Sequence, residues 1–222
     1  TKDGKGATNL ILHGLEVLRR NNIACGITCV VTADNVDELS GIVDMAYFLG
    51  NVRKIGFDLL RGQGRGSRLV PPTETQMLKS MEEVYERVEQ LSKLAGYKIV
   101  ISQAERAKLL CTESCRQFGH CYAMNGEAAF VDASGKIYAC SSLIGNEDFY
   151  IGNVQDGLDN TLVKKVSDKI FQSMSFCREC ADFKLCGGGC FARWYGSGVK
   201  VAYKSECAMK RISIKMIGES EK

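Results

Sequence analysis

With 222 residues, 45% hydrophobic and 25% charged, the chain has the composition of a globular protein and is long enough to bury a core, which excludes disordered and collagen-like polymers. Its net charge of +3 is too small to define a nucleic-acid surface, and no run of about 18 apolar residues offers a membrane span. Eleven cysteines, an odd number without a visible secretory signal, argue against a disulfide scaffold and for ligands in a reducing cytoplasm.

The first element expected is a helix over about 7–20, where Leu10, Ile11, Leu15 and Leu18 recur at helical spacing and Asn21-Asn22 supply a stop. Residues 23–32 follow as an uncharged β-branched run, the pattern of a strand buried on both faces. Val36, Leu39, Ile42, Val43 and Ala46 then trace a helix face that Gly50 terminates, and 53–60 read as a second strand. Both prolines lie in the loop RGQGRGSRLVPP, after which Thr73 and Gln76 have capping-box spacing for a helix to about Leu94, ended by Gly96. A third strand is expected at 97–103. This alternation of helix and strand predicts βα units and a mainly parallel sheet, an α/β fold, but with too few units to close a barrel. The chain opens on Thr1 rather than Met and reads as a piece of something longer.

Residues 111–207 hold nine of the eleven cysteines, a Gly187-Gly188-Gly189 run and short strand-like stretches, and form a second unit organised around ligands. Cys177 and Cys180 have the two-residue gap that lets two thiolates of one turn converge on a metal centre, and Cys186 and Cys190 follow at gaps of five and three. Upstream, Gly135 and Cys140 stand at fixed intervals after Cys121, and Cys207 lies beyond the central run. The pattern is C-x13-G-x4-C, C-x2-C-x5-C-x3-C and a final C. Thiolate spacing alone leaves both iron–sulfur clusters and two structural four-cysteine zinc sites open. The three glycines suit close backbone approach to a cluster, with N–H groups free to face sulfide, or a plain turn.

This cysteine pattern resembles the SPASM domain that follows the barrel in a large group of radical S-adenosylmethionine (radical SAM) enzymes. The resemblance implies two auxiliary 4Fe-4S clusters: by position, one held by Cys115, Cys121, Cys140 and Cys190, the other by Cys177, Cys180, Cys186 and Cys207. It also implies that 1–110 are the C-terminal half of a partial (β/α)6 barrel and 111–222 a small cysteine-rich α+β SPASM domain ending in a helix. The catalytic C-x3-C-x2-C motif of the family is absent. Cys25 and Cys29 have the first gap but Thr32 takes the third place, and after Cys111 and Cys115 it falls on Phe118.

The chain alone is therefore expected not to cleave S-adenosylmethionine. The cofactor and a third 4Fe-4S cluster belong to the complete parent, and a missing N-terminal half barrel is an expected partner. By the same resemblance the parent is an oxidoreductase acting on a peptide or protein. It generates a 5′-deoxyadenosyl radical, takes electrons from a donor such as a flavodoxin or ferredoxin, and uses the auxiliary clusters as an electron relay. Adenosyl contacts fall on Thr28, Val30, Phe57 and Leu59 or their strand neighbours. Sulfatase maturases carry an acidic residue directly after the cysteine matching Cys140; Ser141 stands here and favours another kind of peptide maturation. A two-cluster electron-transfer module and a peptide- or partner-binding module are the competing readings.

Cys25 and Cys29 are expected on one face of a strand as small apolar groups, and Cys111 is unassigned. Arg61 and Arg65 are read as meeting a peptide carboxylate or solvent rather than phosphate. His13 is expected on an exposed helix face, and His120 adjoins Cys121. Arg193, Trp194 and Tyr195 are expected to pack on the clusters, with contact to substrate as the alternative.

Overall fold

The computed structural model describes residues 6–112, 121–196 and 203–220. Its first sheet is parallel with strands in the order β1 (Cys25–Val31), β2 (Val52–Leu59) and β3 (Val100–Ile101). Three helices accompany these strands. The first, α1 (Thr8–Arg20), precedes β1; α2 (Leu39–Leu49) and α3 (Glu74–Ala95) are the crossovers that parallel neighbours require. A 3-10 turn at Val36–Glu38 leads into α2, which ends at Gly50 with a left-handed φ of 72°. Thr73 caps α3 as its spacing predicts: its Oγ1 accepts the Gln76 amide at 3.2 Å, and Gln76 Oε1 accepts the Thr73 amide at 3.0 Å.

The core lies between one face of the sheet and the helices, with Val31, Ile55, Phe57 and Leu59 against Val43, Ala46, Met77, Met81 and Val84. Three expectations change. The strand at 25–31 is covered on one face only, so Thr28 and Val30 are exposed while Val31 is buried. In α1 only Leu15 is buried; Leu10 and Ile11 are 71% and 59% exposed. The third strand is short, since Ser102 already begins α4 (Ser102–Thr112).

The cysteine-rich half is built on an antiparallel meander: β4 (Phe130–Val131), β5 (Lys136–Tyr138), β6 (Tyr150–Asn153) and β7 (Gly157–Leu158). Asp132 shapes the β4–β5 turn by accepting the amides of Ser134 and Lys136 at 2.8 and 3.0 Å, with Gly135 at φ 87°. The helix α5 (Asn160–Ser173) starts where Asp159 accepts the amides of Thr161 and Leu162, and covers the sheet with Val166 and Ile170. Short helices α6 (Ser175–Arg178), α7 (Phe183–Cys186) and α8 (Phe191–Gly196) carry the central cysteine run. The last helix, α9 (Lys204–Ser220), packs on α3 and α4. Its Ala208, Met209 and Ile212 complete the first core, and Tyr85 Oη donates to Ser213 Oγ at 2.8 Å. The C-terminal helix thus joins the second unit in sequence and the first in packing.

Candidate functional site: two groups of cysteines beside an open sheet face

The turn from α6 into α7 brings Cys177, Cys180 and Cys186 around a cavity of about 320 Å3, and Cys207, in the first turns of α9, closes it from the other side. Gly188 and Gly189 line the same cavity. Gly187 and Gly188 have φ of 67° and 85°, the left-handed region, which folds the run back on α7. Burial pushes the Cys177 and Cys186 thiols up, and their backbone neighbours Gly189 and Gly188 partly counter it. Burial also pushes Cys207 up to about 11, with Glu206, Cys186 and Cys177 adding to the effect.

Cys121, Cys140 and Cys190 form the other group. Cys121 is pushed up to about 11 chiefly by burial, and Cys190 and Cys140 add to it; Cys140 is raised by burial and by Cys190. All three pack against the second core. Cys115, expected to join them, and His120 lie outside the described residues, as do the side chains of Cys111 and Arg65. The nine cysteines with described side chains are all free thiols. Among the described residues, no group of three or more His, Cys, Asp or Glu is placed to hold a single metal ion. No described helix is long and apolar enough to cross a membrane.

Between the cysteines and the sheet lies a second cavity, of about 290 Å3, lined by Thr28, Gly56 and Asp58 on one side and by Cys186, Cys190 and Arg193 on another. In the β1–β2 register Thr28 pairs with Gly56 and Val30 with Asp58, so these side chains share the open face. Phe57 and Leu59 point the opposite way into the core, each 1% exposed. Of the four positions expected to touch a cofactor, Thr28 and Val30 therefore present side chains to the open face, and Phe57 and Leu59 offer it only backbone. Cys25 and Cys29 pack against the core side of β1.

Arg61 pairs with a carboxylate of its own chain instead of a peptide's: its Nη1 donates to Asp58 at 2.7 Å. Trp194 lies tilted against Phe191 and Phe176, and Tyr195 edge-on to Phe149, while His13 is exposed. Arg193 does more than pack. It is a buried cation that donates to the Glu206 carboxylate at 2.7 Å, to the Leu59 carbonyl at 3.1 Å and to Asp58. Glu206 escaped sequence reasoning, although an arginine inside the apolar run Phe191–Tyr195 was a signal that a buried carboxylate had to exist elsewhere.

A half-open parallel sheet with a cysteine-rich antiparallel unit on its flank is an arrangement found in known proteins. The solved structure of native anSMEcpe with bound AdoMet superposes with a TM-score of 0.70 at 17% identity, covering 98% of this chain and 61% of that one. Native anSMEcpe with bound AdoMet and the Kp18Cys peptide gives 0.66 at 17% identity, over 98% of this chain and 64% of that one. The chain has this fold. Among curated proteins, it is 32% identical over 155 residues to the uncharacterized protein MJ0907 of Methanocaldococcus jannaschii, covering 70% of this chain and 47% of that protein. It is 25% identical over 218 residues to the mycofactocin maturase MftC of Mycolicibacterium smegmatis, covering 88% and 50%. The chain thus spans about half the length of the curated relatives it matches. No protein-family model matches it.

Proposed function

We propose that the chain is the auxiliary-cluster portion of a radical SAM enzyme that modifies a peptide or protein, with Cys115, Cys121, Cys140 and Cys190 holding one 4Fe-4S cluster and Cys177, Cys180, Cys186 and Cys207 a second. The observation that carries this reading is the placement of the last four thiols around one cavity of about 320 Å3, which has room for a polyatomic group. Four soft thiolates match the four iron corners of such a cluster. When bound, these groups supply one-electron transfer. The chain's own part is to hold them with a full thiolate set, to bury the thiols, and to approach them with the side-chain-free Gly187–Gly189 run.

The open face would take the adenosyl portion of the cofactor at Thr28 and Val30 and through the β2 backbone near Phe57 and Leu59. Further βα units bearing the C-x3-C-x2-C triad complete the barrel, and a flavodoxin or ferredoxin donates the electron. The chain alone does not cleave S-adenosylmethionine. A peptide substrate is supported by the likeness to a maturase and to a fold seen with a bound peptide.

Anaerobic reconstitution with iron and sulfide tests the reading. The expected result is roughly eight iron and eight sulfide per chain with broad visible absorption. A colourless protein retaining zinc on the same thiols would replace it with structural zinc sites.

A further inference from the structure

Arg193 and Glu206 are among the most deeply buried charged residues, at 7% and 3% exposure. An ion pair so far from water adds little net stability, because desolvation offsets most of the attraction, so its geometry is what it contributes. Glu206 gathers three positive or N–H groups. Both of its oxygens accept the Cys190 amide, at 3.0 and 3.2 Å, Oε1 accepts Arg193 Nη1 at 2.7 Å, and Lys210 Nζ stands 3.8 Å away. Arg193 fixes the carboxylate in turn through Asp58 and the Leu59 carbonyl, at the end of β2. Lys210 also donates to the Gly188 carbonyl.

The glycine before Cys190 is part of the same device. A Cβ at Gly189 would stand 3.3 Å from Glu206 Oε2, so a side chain there would press on the carboxylate. Gly188 and Gly189 line the cavity of Cys177 and Cys186, whereas the Cys190 amide that follows them is taken by Glu206. The chain divides at this point. Up to Gly189 it serves the cavity of Cys177, Cys180, Cys186 and Cys207, and from Cys190 it serves Cys121 and Cys140.

We propose that Glu206, fixed by Arg193, is the positioning residue for Cys190: it pins that amide so that the Cys190 thiol turns to Cys121 and Cys140 instead of the neighbouring cavity. The backbone anchor stands on hydrogen bonds alone; its relevance to a cluster rests on the function proposed above.

Two measurements separate those layers. In the metal-free chain, iodoacetamide labelling read by mass spectrometry at each cysteine should show Glu206→Gln accelerating Cys190 several-fold while Cys180 and Cys29 keep their rates. Uniform acceleration, or none at Cys190, overturns the anchor. Should Glu206→Gln fail to fold, Arg193→Lys keeps the charge but not the fork, and the same Cys190-selective gain is expected. In the iron- and sulfide-reconstituted chain, Cys140→Ala and Cys177→Ala assign the paramagnetic resonance signals of the reduced protein. Glu206→Gln should shift the signal that Cys140→Ala removes, and a shift confined to the other signal overturns the proposal. A wild-type chain that binds no iron would instead overturn the cluster reading while leaving the labelling result intact.

Discussion

Burial is the largest cause wherever a described thiol is shifted. Cys121 and Cys207 rise from an ordinary 9.0 to about 11 because a thiolate loses hydration that the site does not replace. A thiol raised in the folded state stabilises the metal-free chain below its ordinary value, and that contribution disappears as pH climbs through the folded value. The unfolding temperature of the metal-free chain should therefore fall between pH 9 and 11, and Cys207→Ser should flatten the fall; circular dichroism melts across that range check it. The same residue scale explains the open face. Strand period two puts Phe57 and Leu59 in the core and their neighbours Gly56 and Asp58 opposite Thr28 and Val30, a parity that composition does not reveal until the core side is known.

At the scale of elements, local chemistry sets boundaries well. Thr73 and Gln76 close a reciprocal cap, and Gly50 and Gly96 end their helices in the left-handed region. Thr73→Ala should cost about 1 kcal/mol in urea denaturation. Gly152 is a stronger constraint. It has φ 148°, and a Cβ there would fall 2.1 Å from the Gly157 carbonyl oxygen across the β6–β7 pair. Gly152→Ala should destabilise the meander by more than about 2 kcal/mol, since a backbone atom cannot step aside as a flexible side chain does; hydrogen exchange at β6 and β7 would locate the damage. Elsewhere periodicity misleads. Leu10 and Ile11 have helical spacing yet face solvent, because an amphipathic stripe reports a surface that wants covering and not whether an element covers it.

For the whole molecule, α9 is the decisive element. It begins with Glu206 and Cys207 at the cysteines and continues through Met209 and Ile212 into the core of the parallel sheet's helices. Ile212→Ala should cost about 2–5 kcal/mol by leaving a cavity, and the strain should reach Cys207 through the helix. Urea denaturation measures the first effect, and reduced iron retention after reconstitution the second. An unchanged iron content in a clearly destabilised variant would show the two halves to be energetically separable.

Sequence by itself determined the alternation of helices and strands and the caps, and its cysteine spacing carries the resemblance that implies two sets of four. Those are local properties, governed by turn chemistry, hydrophobic period and the reach of neighbouring thiolates. Tertiary structure alone decided which face of β1 and β2 is open, where α9 packs, and that Glu206 and Arg193 meet Cys190 and Asp58. Arg193 and Asp58 lie 135 positions apart. No local preference encodes such a pairing; it exists because packing α9 against α3 and α4 brings a carboxylate, a guanidinium and a strand end into one dry space.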